Sequence, residues 1–207
     1  MTTTEPIRVL LADDEATIRA ALVALLGLEP DLVVVAAAGD GRSAVEEARR
    51  HRPEVAVLDL EMPDLDGIEV VREIGRCVPE CATIVLSGHG RPGHLRTALE
   101  AGALGFVAKG APAETVADVI RKARAGQRYV DPALAAEALT APPNPLSARE
   151  AEVLELAARD LPTSVIARRT HLAPGTVRNY VAAATSKLGA SSKSQAVALA
   201  RRHGWIT

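Results

Sequence analysis

Cysteine is nearly absent from this chain. Its 207 residues hold two, Cys77 and Cys81, and a lone C-x3-C lacks the second pair of ligands that a structural zinc site needs. Two small apolar fillers in a reducing compartment are the expected role. Also missing is any apolar run close to the roughly 18 residues of a membrane span, so no membrane partner is expected. The N-terminus, MTTTEPIRVLL, has no basic stretch and no apolar stretch ahead of a cleavage site. No secretory signal is therefore expected, and the cytoplasm is the predicted location. A third absence is local. From Leu161 to Thr207 there is no acid, while Arg168, Arg169, Arg178, Lys187, Lys193, Arg201 and Arg202 supply seven positive charges. The overall net charge of −2 hides this division: residues 1–141 carry 15 Lys/Arg against 22 Asp/Glu, and residues 142–207 carry nine against four. A basic terminal segment on an acidic chain suggests an anionic partner such as nucleic acid. Charge alone does not separate that from a solvated basic surface.

What is present is ordered punctuation. With 48% hydrophobic and 24% charged residues, the composition is that of a soluble globular protein. Short apolar runs at 7–12, 32–38, 55–59, 82–87 and 105–109 alternate with stretches of helical spacing at 15–27, about 43–51, about 67–76, about 92–101 and 112–126. Five such β-α units in series predict a doubly wound α/β fold, with a five-stranded parallel sheet covered by helices on both faces. After Gly126 the pattern breaks. A short helix is expected over about 132–140, ahead of APPNP, read as a semi-rigid extended segment. The remainder is all helical. Ser147 and Glu150 form a capping-box signature, a short helix is expected over about 163–170, HLAPG makes a turn, and a longer helix runs from Pro174 to Leu188. Ser192 and Gln195 repeat the capping-box spacing before a last helix to about Arg202. Helix, short helix, turn and helix in a basic segment of this size make a candidate for DNA binding.

The strands end on polar residues. Asp13 and Asp14 follow the first, Asp59 ends the third, Ser87 the fourth and Lys109 the fifth. In a sheet ordered 2-1-3-4-5 these tips converge beyond the carboxyl ends of the strands. Three adjacent carboxylates demand a cation, and oxygen-only ligands suit Mg²⁺. A lysine and a hydroxyl beside them can hold phosphoryl oxygens, so the set is coherent for an aspartyl phosphate. Each member has a plainer reading: Asp13 and Asp14 can cap the following helix, Ser87 can be a loop residue and Lys109 a surface lysine. Asp59 is the hardest to explain that way, because it closes the most buried-looking strand, VAVLD.

The motifs LLADDE, VLDLEMPDLDG, VLSG and GFVAKG, each at a strand end, resemble those of receiver domains in two-component response regulators. The resemblance implies a flavodoxin-like receiver with Asp59 as phosphoacceptor for a cognate sensor histidine kinase. Mg²⁺ would be held by the side chains of Asp14 and Asp59 and by the Glu61 backbone carbonyl, with Asp13 assisting through water. Ser87 and Lys109 would contact the phosphoryl group, and Phe106 would stand as the switch aromatic. Gly88 departs from the family's common Ala, which should leave the site more open. Asp64 and Asp66 are expected to serve the turn into the next helix.

The later motifs LSAREAEVLELAA, IARR, PGTVRNYV, SKLGA and SQAVALA resemble the LuxR/NarL-type helix-turn-helix, a small four-helix domain. On its recognition helix Val177, Val181, Ala184 and Leu188 form an apolar face. The resemblance implies base or phosphate contacts for Arg178, Asn179 and Ala182, and contacts to the backbone of double-stranded DNA for Thr176 and Lys187. Ala173 replaces the usual Ser or Thr cap of that helix. The expected organisation is a receiver over 1–126, a linker over 127–145 and the DNA-binding domain over 146–207. The expected function is a phosphorylation-dependent, dimeric transcriptional regulator and not an enzyme. One rival is a Mg²⁺-dependent aspartyl-phosphate phosphatase, since DLE resembles the D-x-D of haloacid-dehalogenase-type hydrolases. The other is a regulator that binds DNA without phosphorylation.

Overall fold

Strand β3 (Val55–Asp59) is buried along its whole length, as expected of a strand that takes a partner on both edges and a helical layer on both faces. The computed structural model describes residues 5–88, 92–140 and 144–206. They form two compact units, with the main division between Ala136 and Glu137.

In the first unit β1 (Ile7–Ala12), β2 (Leu32–Ala38), β3, β4 (Ala82–Ser87) and β5 (Gly105–Ala108) alternate with α1 (Ala16–Leu26), α2 (Gly41–His51), α3 (Gly67–Cys77), α4 (Pro92–Ala101) and α5 (Ala113–Arg124). These five strands are parallel and ordered β2-β1-β3-β4-β5. Alternation along each strand divides the core. Val9, Leu11, Val55, Val57, Ile84, Leu86 and Val107 face Leu22 and Leu26 of α1 and Val116, Val119 and Ile120 of α5. Leu10, Ala12, Ala56 and Leu58, one residue out of phase, are equally buried and belong to the opposite face, where α2 and α3 pack. Each fully buried Leu, Ile or Val contributes roughly 1.5–3 kcal/mol of transfer free energy.

The five-stranded expectation needs one correction. A sixth strand, β6 (Tyr129–Val130), lies parallel to β5, inside the stretch read as linker. Tyr129 N–H donates to Leu104 O at 2.8 Å and Asp131 N–H to Phe106 O at 2.9 Å. Two residues carry no periodic signal. They become a strand because β5 otherwise ends the sheet with unpaired backbone groups. Helix α6 (Pro132–Thr140) follows, matching the short helix expected there. Residues 141–143 of the APPNP segment lie outside the described residues.

The second unit contains α7 (Ala148–Ala158), α8 (Thr163–Thr170), α9 (Pro174–Lys187) and α10 (Lys193–Arg202). Two apolar clusters hold it. Leu154, Ala184, Ala196, Val197, Ala200 and Ile206 form one, and Val153, Ala157, Ile166, Ala167 and Val177 the other. The Ser147–Glu150 capping box is complete. The second box forms by half: Gln195 N–H donates to Ser192 Oγ, but Gln195 Oε1 accepts from the Ser191 N–H and hydroxyl instead. A serine one residue upstream competes for the same acceptor.

Candidate functional site

The carboxyl ends of β1 and β3 meet beside the start of the β5–α5 connection. Asp13 continues β1 by one residue, donating its N–H to Ala38 O at 3.1 Å, and its side chain is fully buried. Asp14 beside it is exposed. Asp59, only 3% exposed, closes β3. Asp13, Asp14 and Asp59 each present an oxygen, and these oxygens lie within 4.8 Å of one another. Lys109 Nζ stands 2.9 Å from Asp59 Oδ2, 3.1 Å from Asp13 Oδ2 and 2.8 Å from Glu15 Oε1. With Leu60, Glu61 and Gly88, the residues Asp14, Glu15, Asp59 and Lys109 line a cleft of about 280 Å³.

The electrostatics follow from burial. Loss of water pushes the Asp59 carboxyl up to about 6, with Asp13 adding to the rise, although the Lys109 ammonium and the Glu61 amide pull against it. Burial works against the Lys109 ammonium too, but its contacts to Glu15, Asp59 and Asp13 outweigh it and hold the amine above the ordinary lysine range. Asp13 Oδ2 is buried, and the Lys109 ammonium at 3.1 Å is the cation that faces it. Three carboxylates that each bring an oxygen within 4.8 Å of the others, one of them fully buried, are a donor set that fits a hard divalent cation.

The loop after Asp59 is built around one glycine. Gly67 N–H donates to Leu60 O at 2.9 Å, and a Cβ at Gly67 would stand 2.3 Å from the Asp59 carbonyl oxygen. Only glycine lets α3 start this close to the end of β3. Asp66 caps α3 in a reciprocal box with Glu69, and Asp64 takes the left-handed conformation at φ 67° that a short polar side chain tolerates. Of the four acids in VAVLDLEMPDLD, two therefore shape the turn. Ser87 and Phe106 are both buried and neither lines the cleft. Ser87 ends β4 beside Ala108, and Phe106 pairs with Val85 and Val130.

On α9, Val177 and Ala184 are buried and Val181 and Leu188 partly so, while Arg178, Asn179, Ala182, Ser186 and Lys187 are exposed and Thr176 is half-buried. The turn before it uses His171 at φ 53°. Ala173 occupies the N-cap without a side-chain bond, and Pro174 stands in the first turn. Lys187 has an intramolecular partner: its ammonium lies 2.8 Å from Glu150 Oε2. The Glu150 carboxyl is nearly buried and held below the ordinary glutamate range by Lys187 and by the Ser147 N–H. The side chain expected at the DNA backbone thus also ties α9 to the start of α7.

Residues 9–121 match the profile of the response regulator receiver domain, and residues 144–200 that of the bacterial regulatory proteins of the luxR family. Transcriptional regulatory protein DesR of Bacillus subtilis is 36% identical over 200 residues, covering 97% of this chain and 99% of DesR. The chain belongs to the response regulators. It combines a receiver with a LuxR-type helix-turn-helix and is a regulator of transcription. Among solved structures, ChrA, a response regulator of a heme-sensing two-component system, is 30% identical with a TM-score of 0.59, over 96% of this chain and 98% of that one. RcsB in its complex with DNA, at 22% identity and a TM-score of 0.66 over 96% and 99% of the two chains, shares the fold.

One side chain of this response regulator's cleft escaped sequence reasoning. Glu15 is the N-cap of α1 yet makes no capping bond with its side chain. Asp13 Oδ1 accepts the Glu15 N–H at 2.8 Å, and the Glu15 carboxylate goes to Lys109 instead. The available signal was the third acid of LLADDE, which sits where Ser, Thr, Asn or Asp would be the better cap.

Proposed function

We propose that this response regulator is switched by phosphorylation of Asp59 by a cognate sensor histidine kinase, and that the phosphorylated chain binds double-stranded DNA as a homodimer through α9. The observation that carries this reading is the placement of Asp59: a nearly buried carboxylate at a strand end, 2.9 Å from Lys109 and opening on a cleft. An Asp59 oxygen attacks the phosphorus of a phosphohistidine, the P–N bond breaks, and the imidazole leaves with the bonding pair and takes up a proton. Lys109, with Ser87 at the adjacent strand end, holds the oxygens of the transferred group. Asp13, Asp14, Asp59 and the Glu61 carbonyl would hold a Mg²⁺, which supplies positive charge to the phosphoryl oxygens when bound. Phe106, fully buried next to that strand end, is the residue through which occupancy of the site reaches the α4–β5 surface.

Arg178, Asn179 and Ala182 form the base-reading surface, with Thr176 on the phosphate backbone. Lys187 reaches phosphate while remaining tied to Glu150. The acid-free run from Leu161 onward supports this reading, because each added acid would repel phosphate. Residues 1–126 act as receiver, 127–145 as the connection (β6 being its sheet-bound first part) and 146–207 as the DNA-binding domain. The protein works in the cytoplasm by binding and turns over no external phosphate ester.

The test is phosphorylation with acetyl phosphate and Mg²⁺, read by intact mass and by retardation of promoter DNA. Wild type gains one phosphoryl group and binds DNA more tightly, and Asp59→Asn does neither. DNA affinity that responds to acetyl phosphate in Asp59→Asn as it does in wild type would refute the assignment.

A further inference from the structure

Lys109 is shared between two sets of carboxylates. Two of its contacts, to Asp59 Oδ2 and Asp13 Oδ2, are with carboxylates of the proposed metal set. The third, to Glu15 Oε1 at 2.8 Å, lies outside it. An ammonium and a divalent cation compete for the negative charge of the same carboxylates, so metal binding weakens the hold of Asp13 and Asp59 on Lys109. Its charge is then left in a cleft where its side chain is only 11% exposed, and a buried ammonium without a counter-charge is costly. Glu15 is the acceptor already in place. Its backbone is fixed by Asp13 Oδ1 and by the first α1 turn, where Arg19 N–H donates to Glu15 O at 2.9 Å, and its side chain is 59% exposed and free of any capping duty.

We infer that Glu15 is a positioning residue that holds Lys109 when Mg²⁺ weakens the hold of Asp13 and Asp59 on it. In that role it lowers the cost of metal loading and keeps the ammonium at the cleft mouth where a phosphoryl group arrives. The inference rests on the Mg²⁺ site proposed above. It also accounts for a glutamate at a helix N-cap where shorter polar side chains bond better.

The experiment is a double-mutant cycle on the full chain, measuring the Kd for Mg²⁺ alone by titration calorimetry in wild type, Glu15→Gln, Lys109→Met and the double variant. If Glu15 acts through Lys109, Glu15→Gln weakens Mg²⁺ binding by about two- to fivefold in wild type, the scale of a partly exposed charge pair. In the Lys109→Met background, where there is no ammonium to hold, the same substitution then has little effect. Equal weakening in both backgrounds overturns the inference, since Glu15 would then attract the metal only by its charge. So does no weakening in either. Glu15→Ala repeats the measurement without the amide, and an unchanged wild-type-like Kd there has the same meaning. Failure of wild type itself to bind Mg²⁺ refutes the metal site and not this inference alone.

Discussion

Asp59→Asn should make the receiver more stable, and by an amount that depends on pH. Asparagine keeps the size of the side chain and an oxygen for Lys109 while removing the charge. The carboxyl rises from an ordinary 3.8 to about 6 in the fold because burial disfavours its ionised form. For an acid with a raised value, the penalty is absent below the unfolded value and fully present above the folded one. At 1.36 kcal/mol for each pH unit, the ionised carboxylate therefore costs the native state about 3 kcal/mol at pH 7.5, and about a third of that at pH 4.5. Asp59→Asn recovers it. The assay is native-state hydrogen exchange at the β1 and β3 amides in buffer with a chelator, which reports the receiver independently of the second unit. Added Mg²⁺ should narrow the difference, because it stabilises wild type by mass action and has one carboxylate fewer to bind in the variant. A variant no more stable than wild type at pH 7.5, or a gain of equal size at pH 4.5, refutes the reasoning.

Gly67→Ala should destabilise the receiver by about 3 kcal/mol or more, because the new methyl meets backbone rather than a side chain that can turn away. Gly75→Ala on the same helix has nothing within 4 Å and should raise stability by about 0.5–1 kcal/mol; thermal melts of the two variants check both. Arg178→Ala should cost about 1–3 kcal/mol at the specific DNA site and relax its sequence preference, read by fluorescence anisotropy on matched and mutated operators. Lys187→Met should lower the stability of the second unit by about 1 kcal/mol through the nearly buried Glu150. Because the Glu150 carboxyl is held low, that loss should fade as the pH falls below the glutamate range, followed by the fluorescence of Trp205.

The parts legible in the sequence were those written in local chemistry. Apolar runs gave β1 to β5 because a doubly covered strand has no polar face to show, and Pro174, Gly189 and the Ser147–Glu150 pair bounded helices because their effects act within one turn. The strand-end positions of Asp13, Asp59 and Lys109 followed from those runs, and their convergence from the topology of parallel sheets. What stayed hidden depends on residues that meet only in the fold. Glu15 reaches Lys109 across 94 positions and Lys187 reaches Glu150 across 37. Strand β6 exists because of a neighbour's unpaired edge and not because of Tyr129 and Val130 themselves. Gln195 had the right spacing for Ser192 and was diverted by Ser191.

The pairing of β6 with β5 matters to anyone who cuts this chain. A receiver ended at Gly126 would strip the partners from Leu104 O and Phe106 O and leave the strand that holds Phe106 as a bare border. Such a border recruits whatever backbone comes near, including a second copy of itself. A fragment ended at Ala136 keeps the border sealed, and should remain monomeric at concentrations where the shorter one associates. Measured on the shorter fragment, self-association would then report the scissors rather than the switch.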